Sequence, residues 1–407
     1  MHESLNTRPR MRPSQTSTDG GCPNCDGTDV TLFYRGGSVP IHSCVMLDNH
    51  KTAVDYPHGE LLLGMCSRCG FITNIAYDSQ TQENVHNYED QQSFSPHFRR
   101  YQSDLIARLI RDHDLQNKDV IEIGCGKGDF LVELCRTGVN RGVGIDPRCV
   151  PRNIREPHCN TQFFAESLNK AHTRFPCDFI CCLHTLEHIH STHHFIRLVR
   201  DVIGERNNVL VFFLVPDVER ILRERAFWDV YYEHCSYFSL GSLARLFRKN
   251  CFDVIELTQD FGNQYLLVVA RPTNKATMAR AQEEENVQTA MQYVEKFDVD
   301  IQDRIEKWRF KISLLRNKGK RIAVWGSSSK CVAFLSALRA DNAIDAIVDI
   351  NPHRHGKFLP GSGKQISHPN VLRDLHPDAV FVMNPIYCEE IEQQLRRMRI
   401  TTELIPL

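Results

Sequence analysis

No apolar run in this chain approaches the roughly 20 residues needed to cross a bilayer, so no membrane segment is expected. An excess of one charge is equally absent. Lys plus Arg (49) nearly balances Asp plus Glu (50), and nothing in that balance demands nucleic acid or an anionic membrane as partner. The opening stretch MHESLNTRPRMRPSQTSTDGG is basic and polar with no apolar core, which excludes a secretory signal and points to a disordered tail over residues 1–20. Short-period repeats are missing too. Cysteine is plentiful, with 16 residues. Its only regular spacing is metal-like, and Cys181 and Cys182 sit in an apolar strand, so reduced thiols in a cytoplasmic protein are expected rather than a disulfide framework.

With 407 residues, 42% hydrophobic and 24% charged, the chain is long enough for two or three domains with real cores. Four segments follow the tail. Residues 21–80 hold two CxxC pairs among short β-like runs. Residues 81–272 alternate apolar strands (VIEIG, GVGID, FICCL, NVLVFFLV, FDVIELTQ, YLLVVARP) with helical patterns, which predicts an α/β fold with a mainly parallel sheet. Residues 273–318 place Met291, Val294 and Phe297 at helical spacing, as in a packing connector. Residues 319–407 begin again with strand, turn and helix (RIAVWGSSSKCVAFLSAL) as a second, smaller α/β unit.

Cys22-Pro-Asn-Cys25 and Cys66-Ser-Arg-Cys69 are two knuckles of the kind that grip a tetrahedral zinc from opposite sides. Four sulfur ligands leave no position for water, so such a zinc is structural. A redox pair, or four ordinary buried cysteines, are the alternatives. Residues 120–131, VIEIGCGKGDFL, run from a strand through Glu122, Gly124, Gly126 and Gly128 into a helix near Asp129. These glycines let the backbone approach a ligand at the strand's carboxyl end. The next strand ends in Asp146, placed to accept hydrogen bonds from ribose hydroxyls. This pattern resembles S-adenosylmethionine (SAM) dependent class I methyltransferases more than nicotinamide enzymes, whose loop must also accommodate a pyrophosphate. Glu166 then falls where such enzymes often read adenine. His188 ends the string Leu186-Glu187-His188-Ile189. The segment YYEH at 231–234 follows the fifth strand, on the same carboxyl edge, where an imidazole is a usable base near neutrality.

Taken in order, these features resemble the zinc-containing sugar C-methyltransferases, including nucleotide-sugar 3-C-methyltransferases. The shared order is CxxC…CxxC, E-x-G-x-G-x-G, L-E-H-I, F-x-x-x-Y-x-E-H-x-x-Y-F-S, and a carboxyl-terminal Rossmann-like unit carrying VWGSSSK and VDINPHRHGKFLPGSGKQI. The resemblance implies three parts: a zinc-binding domain, a SAM domain and a Rossmann-like domain. Its implied cofactors are SAM and a structural Zn²⁺. It implies that a base removes the proton beside the ketone of a 4-keto nucleotide sugar, and that the enolate carbon takes the SAM methyl. His234 is matched with that base, Glu233 with its orienting partner, and His188 and Tyr231 with stabilisers of the enolate oxygen. Tyr88 is matched with a further active-site tyrosine, although Gln91, Gln92 and Phe94 replace the serine-rich pattern after it. Cys331 replaces a glycine after Lys330, and the loop Gly326 to Lys330 is still able to cradle a phosphate.

The expected partner is a small molecule, with no nucleic acid or membrane, and the expected state is a monomer. O- or N-methylation of another metabolite is one alternative. A zinc-ribbon binding module with a non-catalytic SAM-like domain is another, disfavoured by the absence of a basic, aromatic stripe between Cys22 and Cys69.

Overall fold

The computed structural model describes residues 21–407 apart from 83, 84, 86, 157 and 158; the expected tail over 1–20 lies outside the described residues. Three sheets organise the chain. In the first, Val30–Pro40 and His58–Cys66 form an antiparallel ribbon, and Ile72–Asn74 extends it. Leu61, Leu63 and Met65 alternate inward along this ribbon into the core, at the period of two that a strand imposes. The fourth strand, Ser236–Tyr237, comes from the middle of the sequence and pairs with Ile72–Asn74. The segment that carries YYEH is thereby stitched to the amino-terminal ribbon.

The second sheet has eight strands in the order Phe252–Asp260, Tyr265–Pro272, Leu210–Pro216, Phe179–Leu183, Asp119–Ile123, Arg141–Ile145, Cys159–Phe164, Arg152–Glu156. Its central pairs are parallel, while Tyr265–Pro272 and Arg152–Glu156 run antiparallel to their neighbours. The apolar runs VIEI, FICC and LVFFLV are buried on both faces, as strands covered by helices on either side must be. The third sheet is parallel throughout, in the order Ile366–Ser367, Ala346–Val348, Ile322–Trp325, Ala379–Val382, Glu403–Pro406.

The second and third sheets both reverse their winding beside their first strand. The reversal lies between Asp119–Ile123 and Phe179–Leu183 in one, and between Ile322–Trp325 and Ala379–Val382 in the other. Crevices that hold ligands open at the carboxyl ends of strands at such points. The first and third sheets share a core with the connector: Leu61, Phe227, Trp228, Phe297, Phe334 and Phe381 belong to one apolar cluster. In the connector helices Val287–Val294 and Phe297–Asn317, Phe297 is buried and Val294 packs against that cluster, whereas Met291 is exposed. Among the described residues no helix is long and apolar enough to cross a membrane.

Candidate active site

The glycine loop starts where Asp119–Ile123 ends. Gly124 and Gly126 take φ of +72° and +50°, the left-handed region that costs an L-residue about 1–2 kcal/mol. A Cβ on Gly124 would meet Thr185 Oγ1 at 1.9 Å, whereas one on Gly126 would meet nothing within 4 Å. The first glycine therefore lets the loop touch the neighbouring strand end, and the second leaves open space above the loop. The Asp146 carboxylate holds this shape by accepting from Gly126 N at 3.0 Å and Arg148 N at 2.7 Å. Gly124→Ala is expected to lower both the melting temperature and SAM affinity, the latter tenfold or more for each ~1.4 kcal/mol of strain. Gly126→Ala should cost less stability and still weaken SAM. Calorimetric binding and thermal melts of the two variants check this contrast.

A cavity of about 400 Å³ opens over the loop. Its walls include Glu122, Gly124, Gly126 and Asp146 on the second sheet's edge, and Gly326, Lys330 and Asn384 on the third sheet's edge. The two winding reversals thus face one another across one space. Glu122 is 3% exposed and its Oε2 has no hydrogen-bond partner. Burial pushes its carboxyl well above the ordinary range, and Asp146 adds to this. An orphaned buried oxygen, a loop open at Gly126 and a strand-end carboxylate fit a ligand carrying donors and positive charge, as SAM does.

Tyr88, His188, Tyr231, Glu233 and His234 line the same cavity. Within YYEH the side chains diverge. Tyr232 points away from the cavity, lying over Gly59 and accepting from Asp78 N at 2.9 Å through its hydroxyl. Tyr231 lies ring to ring with His234 at 4.2 Å, and His188 meets His234 edge-on at 4.8 Å. His188 Nδ1 is 3.0 Å from the Glu233 carbonyl oxygen. The Glu233 carboxylate turns elsewhere, accepting from Ser43 N at 3.1 Å and from the Tyr88 hydroxyl at 2.8 Å. So Glu233 holds Tyr88 and the amino-terminal ribbon rather than His234, because neighbouring side chains on an irregular loop leave the backbone in different directions.

Burial holds the His234 imidazole well below its usual range, reinforced by His188, His184 and Lys330. Burial likewise raises the Tyr88 and Tyr231 phenols well above theirs, with Glu233 adding to both. At neutral pH the site therefore offers an uncharged imidazole able to accept a proton and phenols able to donate hydrogen bonds.

Two expected site groups lie differently. Glu166 is paired with His172 Nε2 at 3.0 Å, and it is not among the residues lining the cavity. Lys330, expected as a phosphate holder, is hydrogen-bonded to Asp229, which also accepts from Arg220 at 2.6 Å. Burial pushes the Asp229 carboxyl up, but the two cations outweigh it and hold it below the carboxylate range. Asp229→Asn would leave the half-buried Lys330 without its carboxylate, while Arg220 keeps Glu224 at 2.8 Å, so a loss of about 1–3 kcal/mol is expected, read as a shift in urea midpoint. His184, Glu187, Arg148 and Asp229 also line the cavity. The first two stand within or beside the Leu186–Ile189 string.

Away from the cavity, Cys22, Cys25, Cys66 and Cys69 bring their sulfurs within 4.8 Å of one another. Cys22 and Cys69 are 3.7 Å apart, as are Cys25 and Cys66. Tetrahedral thiolates about 2.3 Å from a common zinc would be separated by a similar distance. Asn24 seats this cluster on the middle unit, reaching Ser242 O at 3.2 Å while its Oδ1 accepts from Thr192 at 3.1 Å.

Residues 94–257 match the family described as a methyltransferase domain, and residues 267–405 match the C-methyltransferase C-terminal domain. The protein is an enzyme, a SAM-dependent methyltransferase. The C-methyltransferase NovU of Streptomyces niveus is 28% identical over 397 residues, spanning 91% of this chain and 90% of that relative. Among solved structures, magnesium protoporphyrin IX methyltransferase from Synechocystis PCC 6803 is similar over 44% of this chain and 84% of its own, at 12% identity and a TM-score of 0.33. The 1,6-didemethyltoxoflavin N1-methyltransferase of Burkholderia thailandensis is similar over 42% and 79%, at 16% identity and a TM-score of 0.32.

Proposed function

We propose that this enzyme methylates carbon beside the ketone of a 4-keto nucleotide-linked deoxysugar. One observation carries the reading: an uncharged buried imidazole, His234, stands with Tyr231, His188 and Tyr88 on the wall of the cavity into which the glycine loop opens. A heteroatom already carries a lone pair for methylation, whereas carbon must first lose a proton to a base. His234 takes the proton next to the ketone, and the C–H electron pair becomes the enolate. The Tyr231 hydroxyl, with His188 beside it, donates to the developing enolate oxygen. The loop Gly124–Gly128 and the Asp146 carboxylate would hold SAM, which when bound would supply an electrophilic methyl to the enolate carbon and leave as S-adenosylhomocysteine.

The facing winding reversal at Gly326 and Asn384 suits the nucleotide part of the acceptor. Its loop backbone, rather than the Asp229-bound Lys330, is then the phosphate contact. NovU, a C-methyltransferase by name, and the matching C-methyltransferase C-terminal domain support this reading. The four-cysteine cluster suits a structural Zn²⁺. Incubation with ¹³C-methyl SAM and a series of dTDP-4-keto-deoxysugars tests the proposal. A new methyl resonance coupled to a ring carbon is expected, and a methyl on oxygen or nitrogen would refute it.

A further inference from the structure

We propose that Glu187 is the counter-charge of the His188–His234 pair, a positioning residue that lets the pair hold the proton removed from the acceptor. The inference rests on His234 acting as base, as argued above. A proton arriving on His234 creates a cation in a buried position, and burying an unpaired charge is costly. His184, His188 and Lys330 all disfavour it further. The obvious carboxylate, Glu233, is committed to Ser43 and Tyr88.

Glu187 is free to serve. Its side chain is 2% exposed, lines the cavity, and carries an Oε2 with no hydrogen-bond partner. A carboxylate oxygen of Glu187 and one ring nitrogen each of His188 and His234 lie within 4.8 Å of one another. His184 Nδ1 stands 3.7 Å from Glu187 Oε1. The short 3-10 turn Leu186–His188 fixes Glu187 and His188 together, directly under the loop that brings His234. The titratable groups facing this cluster are His184 from the strand end, Tyr231, Glu233, Cys235 and Tyr237 from the loop, Lys330 from the third sheet's first helix, and Tyr265 and Cys182 from the adjoining strands. Of the carboxylates beside His188 and His234, Glu233 has both oxygens paired, whereas Glu187 keeps one unpaired. The arrangement parallels the carboxylate that steadies the imidazolium of a hydrolase triad.

The full-length protein with ¹³Cε1-labelled histidine tests this without any acceptor. Resonances of His188 and His234 are identified with His188→Gln and His234→Gln and followed from about pH 3.5 to about pH 8.5, a window extended downward because burial holds His234 well below its usual range. Glu187→Gln is expected to move the midpoint of at least one of the pair down by about one unit, a tenfold change in proton affinity, and Glu187→Asp to restore part of it. Coincident curves for wild type and Glu187→Gln would overturn the inference. So would a second bound metal per chain that Glu187→Gln removes, since the three groups would then be metal ligands. Once an acceptor is in hand, kcat for Glu187→Gln should fall about a hundredfold with KM and SAM affinity unchanged. Failure of every keto sugar to react would count against the proposed substrate and leave the titration result standing.

Discussion

His234→Gln is expected to slow methyl transfer by about 10²–10⁴-fold, the usual contribution of a positioned general base, while SAM binds as before. Glutamine keeps most of the volume beside Tyr231 and His188 but cannot take a proton. The SAM loop at Gly124–Gly128 and the Asp146 carboxylate that shapes it do not involve His234. The pH dependence carries a second signature. Because burial depresses the His234 imidazole, its neutral, basic form persists below the ordinary value of about 6.5, and the acid limb of the rate profile should lie below that value. The same depression means that the unfolded chain binds a proton the folded one refuses. Stability is therefore lost as pH falls from about 6.5 toward the folded value, and His234→Gln should blunt that loss. Steady-state rates, calorimetric SAM binding and urea unfolding at two pH values check the three parts.

Removing the metal proposed for Cys22, Cys25, Cys66 and Cys69, or Cys66→Ser, is expected to abolish methyl transfer although the cluster lies outside the cavity. The effect is transmitted through chain connections. Binding of a structural zinc is worth about 10–16 kcal/mol in small zinc domains. Here it closes the two knuckles that begin and end the amino-terminal ribbon. The connection between the two strands of that ribbon contributes Ser43, whose amide donates to Glu233. Its third strand, Ile72–Asn74, pairs with Ser236–Tyr237 immediately after His234. Loosening the knuckles thus releases the loop that carries the base. One zinc per chain by elemental analysis, loss of activity with chelator and recovery on adding Zn²⁺ are expected. A metal-free protein of full activity would refute this link.

What the sequence makes legible follows from how locally each feature is encoded. The apolar strand before the loop 124–128, the glycines that turn it and the start of the helix after it lie within residues 120–131, so their periodicity and composition suffice. The two CxxC knuckles are equally local. The strand Ser236–Tyr237 is two residues long and has no pattern to read, so its membership in the amino-terminal sheet appears only in three dimensions. The pairing of Asp229, in the 3-10 turn Phe227–Asp229, with Lys330, in the helix Ser329–Leu338, joins residues far apart in sequence, and no spacing announces it; the lysine beside a glycine turn reads as a phosphate ligand until its partner is seen. Glu166 sits at the right strand end, but its side chain turns to His172, a rotamer choice that sequence position does not specify. Glu187 was visible inside Leu186–Ile189, yet its importance depends on an unpaired oxygen, which is a property of packing.

The most direct test of the central claim is proton exchange at the acceptor carbon. Candidate dTDP-4-keto-deoxysugars would be incubated with the enzyme in heavy water, with SAM or with S-adenosylhomocysteine in its place, and followed by proton NMR. The account predicts loss of the signal beside the ketone, dependent on His234 and not requiring methyl transfer. Methyl transfer from SAM to an acceptor whose α-protons never exchange, at a rate unchanged in His234→Gln, would contradict it.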